Sequence, residues 1–499
     1  MRALFLIAAF CALLAFAAAS EEKKIVCYFG SWAVYRPGDG KFEIAYIQPN
    51  LCTHMVYTFV GISTDGNIRV LDAWQDLPDN WGKDAFGRFN ALRAKSPSTK
   101  TMIAIGGWNE GSVKYSEVAS NPATRAKFVQ NVVAFLKKYK FDGFDLDWEY
   151  PNQRGGKPSD VQNYVALVRE LREAFDKEGF ILSAAVAAAE MSASKSYDIP
   201  QVSKYLHFIN IMAYDLHGAW EKNTGLNAPL YKSSVESGNN AKLNVDSCVQ
   251  YWLDQGAPPE KLILGTAFYG RSFTLANEKD NGVGAPAPQA GQAGPYTREA
   301  GMLGYNEICV KVASGQWTAV FDEEQRVPYA YNGRQWVGYD NVKSIAEKAE
   351  YIKKKNLGGA MLWSIETDDF HGKCGEKYPL LKTLNSILRN GVPVPSEELP
   401  PVQRTTTPLS PNDNGSNNHD SANDIDEEEP ADQPAVPEVP VDSSVCTKEG
   451  FVRDQEDCSV FYICQKFNGE YRATRFSCAN GLFFDDNLNV CNYPENVEC

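Results

Sequence analysis

The sequence predicts an α/β fold, a (β/α)8 TIM barrel, over residues 21–392. Three observations predict it. Near-continuous apolar runs alternate with helical patterns, as parallel strands covered by helices on both faces require. The runs number eight over a length that suits a closed barrel. One of them, within FDGFDLDWEY at 141–150, alternates acids with large apolar residues. Side chains on a strand repeat every two residues, so Asp145, Asp147 and Glu149 share one face. A doubly wound open sheet is the runner-up.

The elements follow in chain order. Arg2, an apolar run from Ala3 to about Phe16, and the small residues Ala17 to Ser20 have the layout of a secretory signal peptide over 1–20. The run is short for a bilayer span, and no later stretch is long enough for one. A secreted, extracellular, soluble protein is expected, with disulfides permitted. Candidate strands are Ile25–Phe29, His54–Val60, Thr101–Ile105, Gly143–Asp147, Ile181–Ala187, Phe208–Tyr214, Leu262–Phe268 and Ala360–Ser364. Helical patterns between them include Thr124–Tyr139, Ser159–Lys177 and Val342–Lys355. The gap between the seventh and eighth strands is too long for one crossover. Its residues, about 272–336, are rich in Gly, Pro, Tyr and Thr and read as a small α+β insertion.

From 393 to 445 the composition shifts to Pro, Thr, Ser, Asn and acids. Such a segment buries too little apolar surface to offset its ordering entropy, so a disordered linker is expected. Residues 396–445 hold 12 acids and one base, a charge of −11 out of the chain's −14. The folded parts are therefore near neutral, and with no basic face nucleic acid is excluded as a partner. Asn414-Gly415-Ser416 is an N-glycosylation triplet. Six Cys crowd into 446–499, where a domain this small needs bridges in place of a core. Five others are spread through the body, leaving one odd thiol. His217 and His371 have no ligand-spaced partners, so neither a metal nor another cofactor is expected. Gly106-Gly107 lacks the rest of a phosphate loop.

In a parallel barrel one strand face meets the helices and the other the packed lumen. Asp145, Asp147 and Glu149 then climb inside the barrel, with Glu149 at the C-terminal mouth, where such folds keep their active sites. Neighbouring carboxyls cannot all ionise cheaply. A carboxylic acid kept protonated near neutral pH is what a departing glycosidic oxygen needs.

Asp142-Gly143-Phe144-Asp145-Leu146-Asp147-Trp148-Glu149 resembles the DGxDxDWE signature of family 18 glycoside hydrolases, the chitinases. Ala104–Trp108, Met212–Asp215, Phe268–Arg271 and Gly358–Trp363 resemble further segments of the family. The resemblance covers nearly the whole secreted chain and is nearest to arthropod-type chitinases. It implies that Glu149 is the general acid/base, that Asp147 orients the substrate acetamide, that Asp145 tunes Asp147, and that Tyr214 donates to the acetyl carbonyl. Trp363 would floor the distorted sugar's subsite, and Trp108, Trp220, Trp32, Tyr28 and Tyr269 would line the cleft with Met212, Asp215, Arg271 and Glu299. It also implies disulfides Cys27–Cys52 and Cys309–Cys374, with Cys248 the odd thiol. The tail resembles peritrophin-type chitin-binding domains, which implies the pairs Cys446–Cys464, Cys458–Cys499 and Cys478–Cys491. The expectation is a monomeric endochitinase acting on chitin and chito-oligosaccharides. Its rivals are a catalytically silent chitin lectin on the same barrel and an enzyme that cleaves N-glycan cores.

Overall fold

The computed structural model describes residues 23–389, except 235, and parts of 445–497. The signal peptide, the linker and Asn414 lie outside the described residues. Eight strands form the barrel: β1 (Lys24–Gly30), β2 (His54–Ile62), β3 (Lys100–Gly106), β4 (Gly143–Asp147), β5 (Ile181–Ala187), β6 (Phe208–Met212), β7 (Leu262–Ala267) and β8 (Gly359–Trp363). Each pairs in parallel with the next, and β1 pairs with both β2 and β8, which closes the barrel and rules out the open sheet. Closure demands close backbone approach: at Gly359 a Cβ would sit 2.0 Å from the Lys24 carbonyl oxygen.

The connections carry helices α1 (Ala85–Ala91), α2 (Pro122–Tyr139), α3 (Asp160–Phe175), α4 (Ile199–Tyr205), α5 (Val245–Asp254) and α6 (Val342–Lys354), and α7 (Pro379–Leu388) follows β8. Their starts follow capping chemistry: the Asn121, Asn244 and Asn341 side chains accept from the first-turn amides of α2, α5 and α6. Strand parity sorts the apolar residues into two layers. Phe144 and Leu146 of β4 join the large core between strands and helices. Val26, Tyr28, Val56, Met102, Ala104, Phe208, Ile263 and Met361 fill the lumen.

Two sequence expectations shift. β6 ends at Met212, so Tyr214 and Asp215 lie beyond the ladder, and Asp215 takes a left-handed φ of 55°. β7 ends at Ala267, and the insertion already begins at strand Tyr269–Thr274; its antiparallel sheet runs to Gly338 around Phe273 and Trp336, with a helix at Tyr305–Ala313. An antiparallel strand, Ile68–Val70, extends β2 and was not foreseen. Disulfides Cys27–Cys52 and Cys309–Cys374 are formed, and Cys248 is a free, buried thiol that burial pushes up to about 12.

The C-terminal unit is a three-stranded antiparallel sheet (Gly450–Arg453, Val460–Phe467, Glu470–Ser477) and a hairpin of Phe483–Asp485 with Val490–Asn492. Cys446–Cys464 bridges it, and Phe461 stacks on Phe484 at 4.3 Å. Cys458 is also disulfide-bonded. In the expected pairs Cys458–Cys499 and Cys478–Cys491, Cys499 and Cys478 lie outside the described residues.

Candidate active site

The alternation in β4 places its carboxyls in the lumen. Asp145 is fully buried and saturated with donors: Tyr28 Oη to Oδ2 at 2.7 Å, and Ser183 Oγ (2.6 Å) and Asn210 Nδ2 (3.2 Å) to Oδ1. Burial lifts its carboxyl to about 6, while these three donors hold it down. Ser183 sits beside Asp145 in the β4–β5 register. Tyr28 reaches across the lumen from β1, and Asn210 Nδ2 also donates to its hydroxyl at 2.9 Å.

One step up, Asp147 is buried, and among the described residues its Oδ1 has no hydrogen-bond partner. Burial, then the charges of Glu149 and Asp145, push its carboxyl well above the ordinary range. An orphaned buried oxygen of this kind costs free energy and marks a place for a polar ligand atom. The backbone above it is held by Gly107, whose N–H donates to the Asp147 carbonyl at 2.9 Å. Gly106 has φ of +112°, and a Cβ there would lie 2.2 Å from the same carbonyl oxygen. The Gly106-Gly107 pair therefore serves close strand approach.

Glu149 follows at the mouth, 9% exposed. Burial raises its carboxyl to about 7, with Asp215 adding to the rise and Tyr150 and Arg154 opposing it. Beneath it Trp148 is locked outward, stacked on Tyr115 at 5.4 Å and donating to Ser112 Oγ at 2.9 Å. Tyr214 has one hydrogen-bond partner among the described residues, Met361 Sδ at 3.7 Å, a weak acceptor that leaves its hydroxyl free to donate elsewhere. Burial, then Tyr269 and the acids, hold this phenol protonated.

Asp215 is clamped from the insertion side. Tyr269 Oη donates to Oδ1 at 2.5 Å, and Arg271 pairs with both oxygens at 2.7 Å. That bidentate fork fixes the carboxylate's plane. Glu299 lies exposed in the insertion, within electrostatic reach of Arg271. Trp220 is 60% exposed, with the Arg271 guanidinium 5.4 Å from its ring. Met212 and Trp363, both half-buried, border the lumen core.

Around Trp363 gather Phe59 at 5.9 Å, Trp32 at 6.0 Å and Tyr28 at 5.7 Å. Trp32 is 42% exposed and offers a ring face to solvent. Tyr28 and Tyr269 do not: both are buried and use their hydroxyls on Asp145 and Asp215. They brace the site instead of lining a cleft, Tyr28 from within the lumen and Tyr269 from the first strand of the insertion. Trp108 is exposed at 58% on the β3 side, with the Arg154 guanidinium 3.5 Å from its ring centroid.

Sequence reasoning missed Ser183, Asn210, Phe59, Arg154 and Glu366. Ser183 and Asn210 are single polar residues inside apolar strands, a signal that was available. Glu366 is fully buried, accepting from Ser364 Oγ (2.5 Å) and Gly30 N (3.1 Å). It joins the ends of β8 and β1, and no local pattern announces it. Among the described residues one metal-like cluster occurs, Cys309, Asp369 and Cys374, and its two sulfurs are spent on a disulfide. The arrangement as a whole can deliver one proton from Glu149, hold a polar group at Asp147 and Tyr214, and stack an apolar ring face on Trp363.

The sequence profile described as Glycosyl hydrolases family 18 matches residues 24–368, and that of the Chitin binding Peritrophin-A domain matches 446–499. The chain is 38% identical over 553 aligned residues to an endochitinase of Manduca sexta, covering 100% of this chain and 99% of the relative. Its structure is similar to that of an Ostrinia furnacalis Group IV chitinase in complex with allosamidin, at 47% identity and TM-score 0.71, covering 74% of this chain and 99% of the other. It is also similar to human YKL-39, described as a pseudo-chitinase with retained chitooligosaccharide binding, at 38% identity and TM-score 0.68, covering 73% of this chain and 99% of the other.

Proposed function

Because this chain belongs to glycosyl hydrolase family 18 and carries a C-terminal chitin-binding Peritrophin-A domain, we propose that it is a secreted endochitinase. It hydrolyses β-1,4 bonds between N-acetylglucosamine units with retention, using the substrate's own acetamide as nucleophile. The observation that carries this reading is the gradient of three inward carboxyls: Asp145 saturated with donors, Asp147 with an orphaned oxygen, and Glu149 raised to about 7 at the mouth.

Glu149 protonates the glycosidic oxygen as the C1–O bond breaks. The acetamide oxygen attacks C1 from the opposite face and gives a cyclic oxazolinium ion. Asp147 accepts from the acetamide N–H and offsets the positive charge, while Tyr214 donates to the acetyl oxygen. Water then attacks C1 from the side the leaving group vacated. Glu149 takes a proton from that water, the C1–acetamide bond breaks, and the β-configured product departs with Glu149 again protonated. Burial, then the charges of Glu149 and Asp145, favour a proton on Asp147, so the three neighbouring carboxyls do not all ionise together. Trp363 floors the subsite of the reacting sugar, whose apolar C–H face stacks on the indole. No cofactor enters these steps. The C-terminal domain, joined by the acidic linker, raises the local concentration of the barrel on the polymer.

Incubating the wild type and Glu149→Gln with chito-oligosaccharides, and measuring binding and product together, tests the reading. The variant is expected to bind as the wild type does and release no product. Equal binding with no product from either protein would assign the chain to the sugar-binding pseudo-chitinases instead.

A further inference from the structure

One cation at the mouth is left unused by these steps. Arg154 lies between β4 and α3, in a polar loop with nothing in its sequence to mark it. The structure gives it three contacts, one to the backbone of the acid and two to Trp108. Its Nη1 donates to the Glu149 carbonyl oxygen at 3.0 Å and to the Trp108 carbonyl oxygen at 2.7 Å. Its guanidinium lies 3.5 Å from the centroid of the Trp108 ring. Arg154 thus bridges the residues that follow β3 and β4, two adjacent strands of the barrel.

The loop is built to hold this pose. Asp160, fully buried, accepts from Lys157 N at 2.6 Å and Asn152 N at 3.4 Å through Oδ2, and from Ser116 Oγ at 2.7 Å through Oδ1. Gln153 Nε2 donates to Ser192 Oγ at 2.8 Å and Ser196 Oγ at 2.7 Å. Arg154 itself takes a left-handed φ of 51° between these anchors. An exposed arginine with its neighbours fixed so firmly loses little further entropy in reaching one ring.

We propose that Arg154 is a positioning residue that registers the Trp108 ring, as a sugar-stacking platform, to the backbone of Glu149. The proposal rests on the reading of Glu149 as the acid. The guanidinium lies over one face of Trp108 while the residue stays 58% exposed, so a sugar stacked on the ring would be held at a fixed offset from the proton donor. The same cation acts on Glu149 electrostatically. The groups that face this carboxyl are Asp147 and Tyr150 from its own strand end, Tyr197, Tyr214 and Asp215 from the neighbouring loops, and Arg154. Arg154 is the cation in that set, and it opposes the rise.

Two readouts test it. In a Glu149→Gln background, which isolates binding from turnover, Arg154→Gln should weaken chito-oligosaccharide affinity roughly two- to fivefold, the worth of an exposed cation–π contact. In the active enzyme, Arg154→Gln should move the alkaline limb of the kcat/KM profile up by roughly half a pH unit, the size expected of a screened, exposed charge. Arg154→Lys should return the limb towards its original place without restoring the affinity, because an ammonium lacks the planar fork. Unchanged affinity together with an unmoved limb would overturn the proposal. So would losses that follow a fall in Tm while the limb stays put. A wild type that binds and never cuts would sink the enzymatic reading, and the binding arm would still test the clamp.

Discussion

Replacing Tyr28 by Phe removes one oxygen atom from the floor of the site and leaves the ring in place. That oxygen donates to Asp145 Oδ2 at 2.7 Å and accepts from Asn210 Nδ2 at 2.9 Å, in a fully buried setting. A hydrogen bond to a charged group of this kind contributes about 1.5–3 kcal/mol. At 1.36 kcal/mol per unit, its loss raises the carboxyl by about one to two pKa units. Asp145 stands at about 6 with the donor present. If the acid limb of kcat/KM reports ionisation of Asp145, it should therefore move up by about one to two pH units. The alkaline limb belongs to Glu149 and should stay. KM for a chito-oligosaccharide should hardly change, since the ring is 1% exposed. Steady-state kinetics across pH, with urea unfolding as a control for stability, reads all three quantities. An unmoved acid limb with a KM raised several-fold would refute the reasoning, because it would mean that the ring touches sugar.

Other consequences follow from the buried acids and from the two-part chain. Asp76 and Asp368 are both raised to about 7 by burial, well above the unfolded value of about 3.9. Their folded forms hold protons that the unfolded chain releases, so this contribution is whole below pH about 4 and is lost as pH rises through about 7. Thermal scans should therefore show a lower Tm at pH 8 than at pH 5, and Asp76→Asn, which keeps an acceptor for Tyr57, should flatten that dependence. Removing residues 393–499 should leave hydrolysis of short soluble oligomers intact and slow attack on solid chitin. Equal loss on both substrates would contradict a tethered binding domain.

Much of this architecture was legible because it rests on patterns that physics makes periodic. The barrel strands appear as apolar runs since both of their faces are buried. The acid strand stands out since carboxyls and apolar residues alternate along it. Pairing between Tyr28 and Asp145 was not legible, because it spans 117 residues and depends on which lumen positions the closed barrel sets opposite each other. Tyr28 and Tyr269 thus looked like cleft walls, as aromatics at strand ends, whereas both are buried with their hydroxyls spent on Asp145 and Asp215. Strand ends were read too long at Tyr214 and Phe268, because the apolar pattern continues after the ladder stops. Arg154 was hidden for the opposite reason: an arginine among Asn, Gln and Gly reads as solvent-facing loop. One of its two partners, Trp108, comes from a different strand end.

The central claim is that one protonated carboxyl serves a substrate that supplies its own nucleophile. Proton NMR of the first product, taken on an N-acetylated chito-oligosaccharide and on its fully deacetylated counterpart, tests it most directly. The account predicts that the acetylated oligomer is cut, that the β anomer appears first, and that the deacetylated one survives. Comparable cleavage of the deacetylated oligomer, or an α anomer appearing first, would contradict it.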